Sequence, residues 1–127
     1  MDGTNTHGLG KRLLLGLIGS GIQASRTPSM HEREAMAHGL TCLYQRIDLE
    51  ESGRGPESLP KLLDAAELLG FAGLNITHPC KVAVLPLLTD LSEDARALGA
   101  VNTVVFDRGK RIGHNTDWIA FSGSMRR

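Results

Sequence analysis

Residues 13–18, Leu-Leu-Leu-Gly-Leu-Ile, carry no polar side chain and stop at Gly19-Ser20-Gly21. A run of six is far short of the roughly 18 apolar residues that span a membrane. It suits a strand buried on both faces of a parallel sheet, which must then be covered by helices on either side. The rest of the chain supplies them. Thr27 is placed to cap a helix with Pro28 at its first position and Gly39 at its end, and a second strand follows over about residues 43–49. Beyond a polar, Gly-rich loop at residues 50–57, Leu62, Leu63, Ala66 and Leu69 recur at helical spacing until Gly70.

The alternation continues with a strand at residues 71–76 and a short helix opened by Pro79 and interrupted by Pro86. Asp90, with Glu93 three residues on, is placed to cap a helix whose apolar face is Leu91, Ala95 and Leu98. A strand at residues 100–106, an Asp107-Arg108-Gly109-Lys110 turn, a hairpin strand to about Gly113 and a last helix from Asn115 complete the pattern. Strand and helix in turn predict a three-layer α/β/α sandwich with a mostly parallel sheet and a terminal hairpin. Residues 1–10 read as a disordered leader and residues 11–127 as one domain.

Charge excludes several functions. Fourteen Lys and Arg balance fourteen Asp and Glu, leaving no electrostatic footprint for nucleic acid and no attraction to an anionic membrane. Lys11-Arg12 before the apolar run and Ile22-Gln23-Ala24 after it imitate a secretory signal. The run is too short, Ile22 spoils the small-x-small cleavage pattern, and Asp2 puts an acid in the leader. Cys42 and Cys80 stand far apart, as in a reduced cytoplasmic protein. Among the histidines, His31 and His38 share a helix without metal-ligand spacing, and no metal site is expected. Trp118 and Phe121 read as core or interface.

Gly19-Ser20-Gly21-Ile22-Gln23-Ala24 matches the G-x-G-x-x-A of dinucleotide-binding loops, and Asp48 lies where a ribose-binding acid belongs. That loop must open a helix directly so that its amides meet a pyrophosphate, yet Pro28 delays the helix and disfavours helical geometry at Thr27. Three readings stay open here: a dinucleotide loop, a structural glycine turn, and a polar-substrate loop using Ser25 and Thr27.

Ligands in open parallel sheets bind beyond the carboxyl ends of the strands. The residues expected there are Ser25 and Thr27, Asn75 and Thr77 followed by Lys81, then Asn102-Thr103, and finally Asn115-Thr116-Asp117. Hydroxyls, amides, a lysine and an aspartate suit a polyhydroxylated molecule, each of whose hydroxyls needs a donor and an acceptor. With Pro79 opening a helix, Lys81 falls in its first turn, where the helix dipole lowers an ammonium pKa toward that of a general base. Asp117, in the first turn of the last helix, stays ionised and can orient Lys81 and the same hydroxyl. The plainer alternatives are a solvated surface lysine and an ordinary helix-start acid.

Three motifs resemble the shikimate and quinate dehydrogenase family, specifically its N-terminal substrate-binding domain, over about residues 13–121. Gly73-Leu74-Asn75-Ile76-Thr77-His78-Pro79-Cys80-Lys81 resembles the family's G-x-N-V-T-x-P-x-K. Gly99-Ala100-Val101-Asn102-Thr103 is identical to its G-A-V-N-T, and Gly113-His114-Asn115-Thr116-Asp117 resembles its G-x-N-T-D. The resemblance implies Lys81 and Asp117 as the catalytic pair, and Ser25, Thr27, Asn75, Thr77 and Asn102 as substrate-binding residues. It implies NAD(P)-dependent, reversible oxidation of shikimate to 3-dehydroshikimate, with shikimate, quinate or dehydroshikimate as ligands.

Two departures bear on this. Thr27 stands at the second serine of the family's S-x-S, as in quinate-accepting branches, and Ala120 replaces a glycine usual near the last helix. Family members are also longer, their remaining part carrying a Rossmann domain for NAD or NADP, so tight cofactor binding and complete catalysis are not expected of this chain alone. Apolar surface left for that domain favours a homo-oligomer or a separate cofactor-domain chain. A non-catalytic module holding a shikimate-like cyclitol carboxylate is the alternative.

Overall fold

A computed structural model describes residues 12–22, 27–39 and 41–115. The expected leader at residues 1–10 and the last helix after Asn115 lie outside the described residues. The apolar run forms β1 (Arg12–Gly19). It is followed by α1 (Thr27–Ala37), β2 (Thr41–Asp48), α2 (Leu59–Leu69) and β3 (Gly73–Ile76). A two-residue strand β4 (Asp90–Leu91), helix α3 (Glu93–Leu98), β5 (Thr103–Asp107) and β6 (Lys110–His114) complete the order.

β1 is buried on both faces because its side chains alternate between two cores. Leu15 and Leu17 pack with Ile22, Tyr44 and Ala35 of α1 on one face. Ile18 points the other way, into a larger core with Leu74, Ile76, Val104, Leu59 and Leu63 of α2, and Ala95 of α3. Helices therefore cover both faces of the sheet, as the apolar run requires. Each fully buried leucine contributes roughly 1.5–3 kcal/mol. On α2 the inward stripe is Leu59, Leu63 and Ala66; Leu69, expected inside, is exposed at the last turn before Gly70.

The sheet order is β2-β1-β3-β5-β6-β4. β1 pairs in parallel with β2 and β3, and β4 with β6, whereas β5 runs antiparallel to both β3 and β6. The α/β sandwich and its hairpin form as expected, with a sheet that is mixed. The hairpin turns at Arg108 and Gly109, both at positive φ (53° and 82°), the geometry of a two-residue turn matched to strand twist. Arg111 ties the hairpin to α2, its Nε to Glu67 Oε1 at 2.9 Å and its Nη2 to Asp64 Oδ1 at 2.6 Å. Burial works against the Arg111 charge, and the two carboxylates outweigh it and raise the pKa.

Two local expectations are corrected. No α-helix follows Pro79: residues 78–84 run as turns into a 3₁₀ segment at Leu85–Leu87, and the His78–Pro79 peptide is cis. The cap of α3 is Ser92, whose Oγ accepts the Ala95 amide at 3.2 Å, because Asp90 is held in β4 beside Ile112. Leu98, expected on the buried face of α3, is exposed. Among the described residues no helix is long and apolar enough to cross a membrane.

Candidate functional site

The reversed direction of β5 determines where the polar motifs meet. β1, β3 and β6 end at one edge of the sheet, and β5, running the other way, begins there with Asn102 just before it. Backbone hydrogen bonds stitch the four segments together. Thr77 N donates to Ile18 O at 2.9 Å and Ser20 N to His78 O at 3.0 Å, joining the ends of β1 and β3. Ile76 N donates to Asn102 O at 2.8 Å, and Asn102 N to His114 O at 3.0 Å. Val101 N donates to Lys81 O at 2.9 Å, so the lysine segment lies directly against Gly99-Ala100-Val101-Asn102-Thr103.

Gly19 lets this edge close. A Cβ at that position would overlap the Thr77 methyl and meet the His78 carbonyl oxygen at 3.0 Å. Glycine is favoured here by the close approach of the Thr77 side chain and the His78 carbonyl to the backbone of β1. Thr77 is consequently held against the end of β1, half-buried.

The edge brings together Asn75, Thr77, Lys81 and Asn102. Asn75 is half-buried, and its Oδ1 accepts a hydrogen bond from the Tyr44 hydroxyl. Asn102 is half-buried, with Oδ1 accepting from Thr103 Oγ1 at 3.0 Å. The Lys81 side chain is exposed. It rises from a turn and not from the first turn of a helix. Asn115 Nδ2 donates to Ala100 O at 2.9 Å, anchoring the end of β6 to the same edge. Thr27 begins α1, one position ahead of Pro28. Ser25, Thr116 and Asp117 lie outside the described residues.

The dinucleotide reading of the glycine turn fails on Asp48. Its Oδ1 accepts the Gly21 amide and its Oδ2 the Ile22 amide, each at 3.0 Å, and Oδ1 also accepts the Glu50 amide at 3.0 Å. The amides that would cradle a pyrophosphate are thus turned onto a carboxylate of the chain itself. The turn does not fit NAD or NADP, and Asp48 positions the loop instead of binding a ribose. Tyr44 is the other residue that motif reading missed. Its signal is slight: it is the chain's single tyrosine, set in a strand with exposed residues on either side.

A two-faced α/β sheet with amides, a hydroxyl and an amine gathered at one edge defines a substrate-binding domain. Residues 17–104 match the family described as the shikimate dehydrogenase substrate binding domain, and the chain belongs to that family. The shikimate dehydrogenase (NADP(+)) of Streptomyces avermitilis is 54% identical over 114 residues, covering 90% of this chain and 39% of that protein. The quinate/shikimate dehydrogenase (NAD(+)) of Corynebacterium glutamicum is 57% identical over 114 residues, covering 89% and 40%.

Among solved structures, the Corynebacterium glutamicum quinate dehydrogenase in complex with NAD aligns with a TM-score of 0.77 at 58% identity, over 84% of this chain and 38% of that one. The shikimate 5-dehydrogenase of Listeria monocytogenes in complex with shikimate and NAD aligns with a TM-score of 0.75 at 33% identity, over 91% and 37%. The chain spans 39–40% of the length of the two curated relatives.

Proposed function

We propose that this chain is the substrate-recognising part of a shikimate/quinate dehydrogenase, taking shikimate, quinate or dehydroshikimate at the edge where β1, β3 and β6 end. The observation that carries this reading is the backbone ladder from Ile18 through Thr77, Asn102 and His114, which sets Asn75, Thr77, Lys81 and Asn102 on one edge. Amide and hydroxyl side chains match a ring that presents several hydroxyls. Ser25 and Thr27 take part in recognising the ligand.

Lys81 and Asp117 handle the proton. Converting a ring hydroxyl to a ketone releases one proton from oxygen, which Lys81 accepts in one direction and returns in the other. Asp117 orients the Lys81 amine and the same hydroxyl. The hydride acceptor, NAD or NADP, is held outside the Gly19–Ile22 turn, whose amides are engaged by Asp48. The chain accordingly supplies recognition and proton transfer, and the complete reaction needs a cofactor-binding domain.

Isothermal titration of the chain with shikimate and with quinate tests this, with Asp117→Ala as the control. Saturable binding lost in the variant supports the reading. A well-folded chain that binds neither ligand overturns recognition by this chain alone. Turnover of dehydroshikimate with NADPH by the unaccompanied chain would overturn the assignment of the hydride acceptor to another domain. In an enzyme completed by a cofactor domain, Lys81→Ala is expected to lower kcat by roughly 100- to 10,000-fold.

A further inference from the structure

β2 and β3 flank β1, with Tyr44 level with Leu15 and Asn75 level with Leu17. Tyr44 and Asn75 lie on the face that carries Leu15 and Leu17, and the Tyr44 ring reaches across β1 to place its hydroxyl on Asn75 Oδ1. The ring is 5% exposed and packed in the core under α1. Its backbone is held too, since Tyr44 N donates to Glu32 Oε2 of α1 at 3.0 Å.

From this contact we infer that Tyr44 is a positioning residue. It fixes the rotamer and the amide orientation of Asn75, so that the Asn75 NH₂ group is presented to the ligand as a donor. This inference rests on the reading of the edge as a substrate site and adds to it a chemical demand on the ligand. A primary amide has one acceptor oxygen and one donor nitrogen with two hydrogens. The phenol takes one of the two lone pairs of Oδ1 and so fixes which side of the amide carries its two Nδ2 hydrogens. A ligand atom that meets this NH₂ group is then an acceptor, a hydroxyl or carboxylate oxygen.

The phenol is suited to this task because it remains a donor at neutral pH. Burial, and next the nearby Cys42 thiol, push its pKa well above the ordinary tyrosine value. A buried aromatic ring with two side-chain torsions is also a stiff support, losing little further freedom when it holds its partner.

The test is a double-mutant cycle on the full chain with shikimate and quinate as titrants. Tyr44→Phe keeps the ring and its packing and removes only the hydroxyl. It is expected to weaken binding roughly 3- to 10-fold, the scale of one hydrogen bond. Asn75→Ala is expected to weaken binding as well, and adding Tyr44→Phe to it should then cost nothing more. Penalties that simply add, or a Tyr44→Phe chain that binds like the wild type, would overturn the inference. A ligand-free readout separates it from the functional reading. The NMR signals of the Asn75 side-chain amide should move in Tyr44→Phe, and unmoved signals would overturn the positioning role. If the wild-type chain binds neither ligand, the functional reading fails, while these signals still decide whether Tyr44 orients Asn75.

Discussion

The Asp48 carboxylate accepts the backbone amide of Gly21, 27 residues earlier in the chain, at 3.0 Å, and the Ile22 amide at the same distance. One buried side chain at the end of β2 thereby fixes the turn that leaves β1, and with it the start of the segment leading to Ser25 and Thr27. A carboxylate suits the four converging amides of Gly21, Ile22, Glu50 and Glu51 because it offers two oxygens and needs no donor of its own. Removing it leaves these amides without their acceptor. Asp48→Ala is expected to cost about 2–3 kcal/mol, the range for a hydrogen bond to a charged group whose partner is left unsatisfied, read as a fall in the urea midpoint. An unchanged midpoint would show that the turn holds its shape without Asp48.

Gly19 and Thr77 define a second close contact. Because a Cβ at Gly19 would overlap the Thr77 methyl, Gly19→Ala is expected to destabilise the domain by about 1–3 kcal/mol, the usual cost of overpacking. Thr77→Ser removes that methyl. The double variant should recover part of the loss, since the His78 carbonyl at 3.0 Å remains. Equal destabilisation with and without Thr77→Ser would place the cost elsewhere, and denaturation curves of the three variants decide it.

Cys42 gives a pH prediction. Burial, and then the Glu32 carboxylate, push its thiol from 9.0 up to about 11. The folded protein therefore holds a proton that the unfolded chain releases first, so this contribution to stability is complete below pH 9 and is lost as the pH rises toward 11. At pH 8 the folded thiolate population is about 100-fold smaller than that of an unfolded thiol. In a Cys80→Ser background, iodoacetamide should react with Cys42 far more slowly in buffer than in urea. Equal rates, corrected for the solvent's own effect on the reagent, would contradict the shift.

Much of the fold is legible because its signals are local. The uniformly apolar run of β1 demands cover on both faces, the spacing of Leu63 and Ala66 marks the inner face of α2, and Arg108-Gly109 closes the hairpin where a two-residue turn is expected. Errors arise where a local signal competes with a distant one. Leu69 has the helical spacing of a core residue, yet the last turn of α2 carries it into solvent. Pro79 is a good first helical residue in isolation, yet the Ser20 and Val101 amides bind the carbonyls of His78 and Lys81 and the segment runs as turns. Asp90 reads as a helix cap, yet β4 pairs with β6 and leaves the task to Ser92.

The candidate site divides the same way. Residue types and motif order alone named its candidates: Asn75, Thr77, Lys81 and Asn102 stand in segments whose composition already marks them as polar ends of strands. Tertiary structure decided that these segments meet, because β5 runs antiparallel to β3 and so delivers Asn102 to the edge where β1 and β3 finish. It also decided that Asp48 serves the glycine turn and that Tyr44 holds Asn75. The physical reason is range. Capping, periodicity and turn preference act within a few residues, whereas strand direction and hydrogen bonds across 27 or 31 positions exist only once packing has brought those segments together.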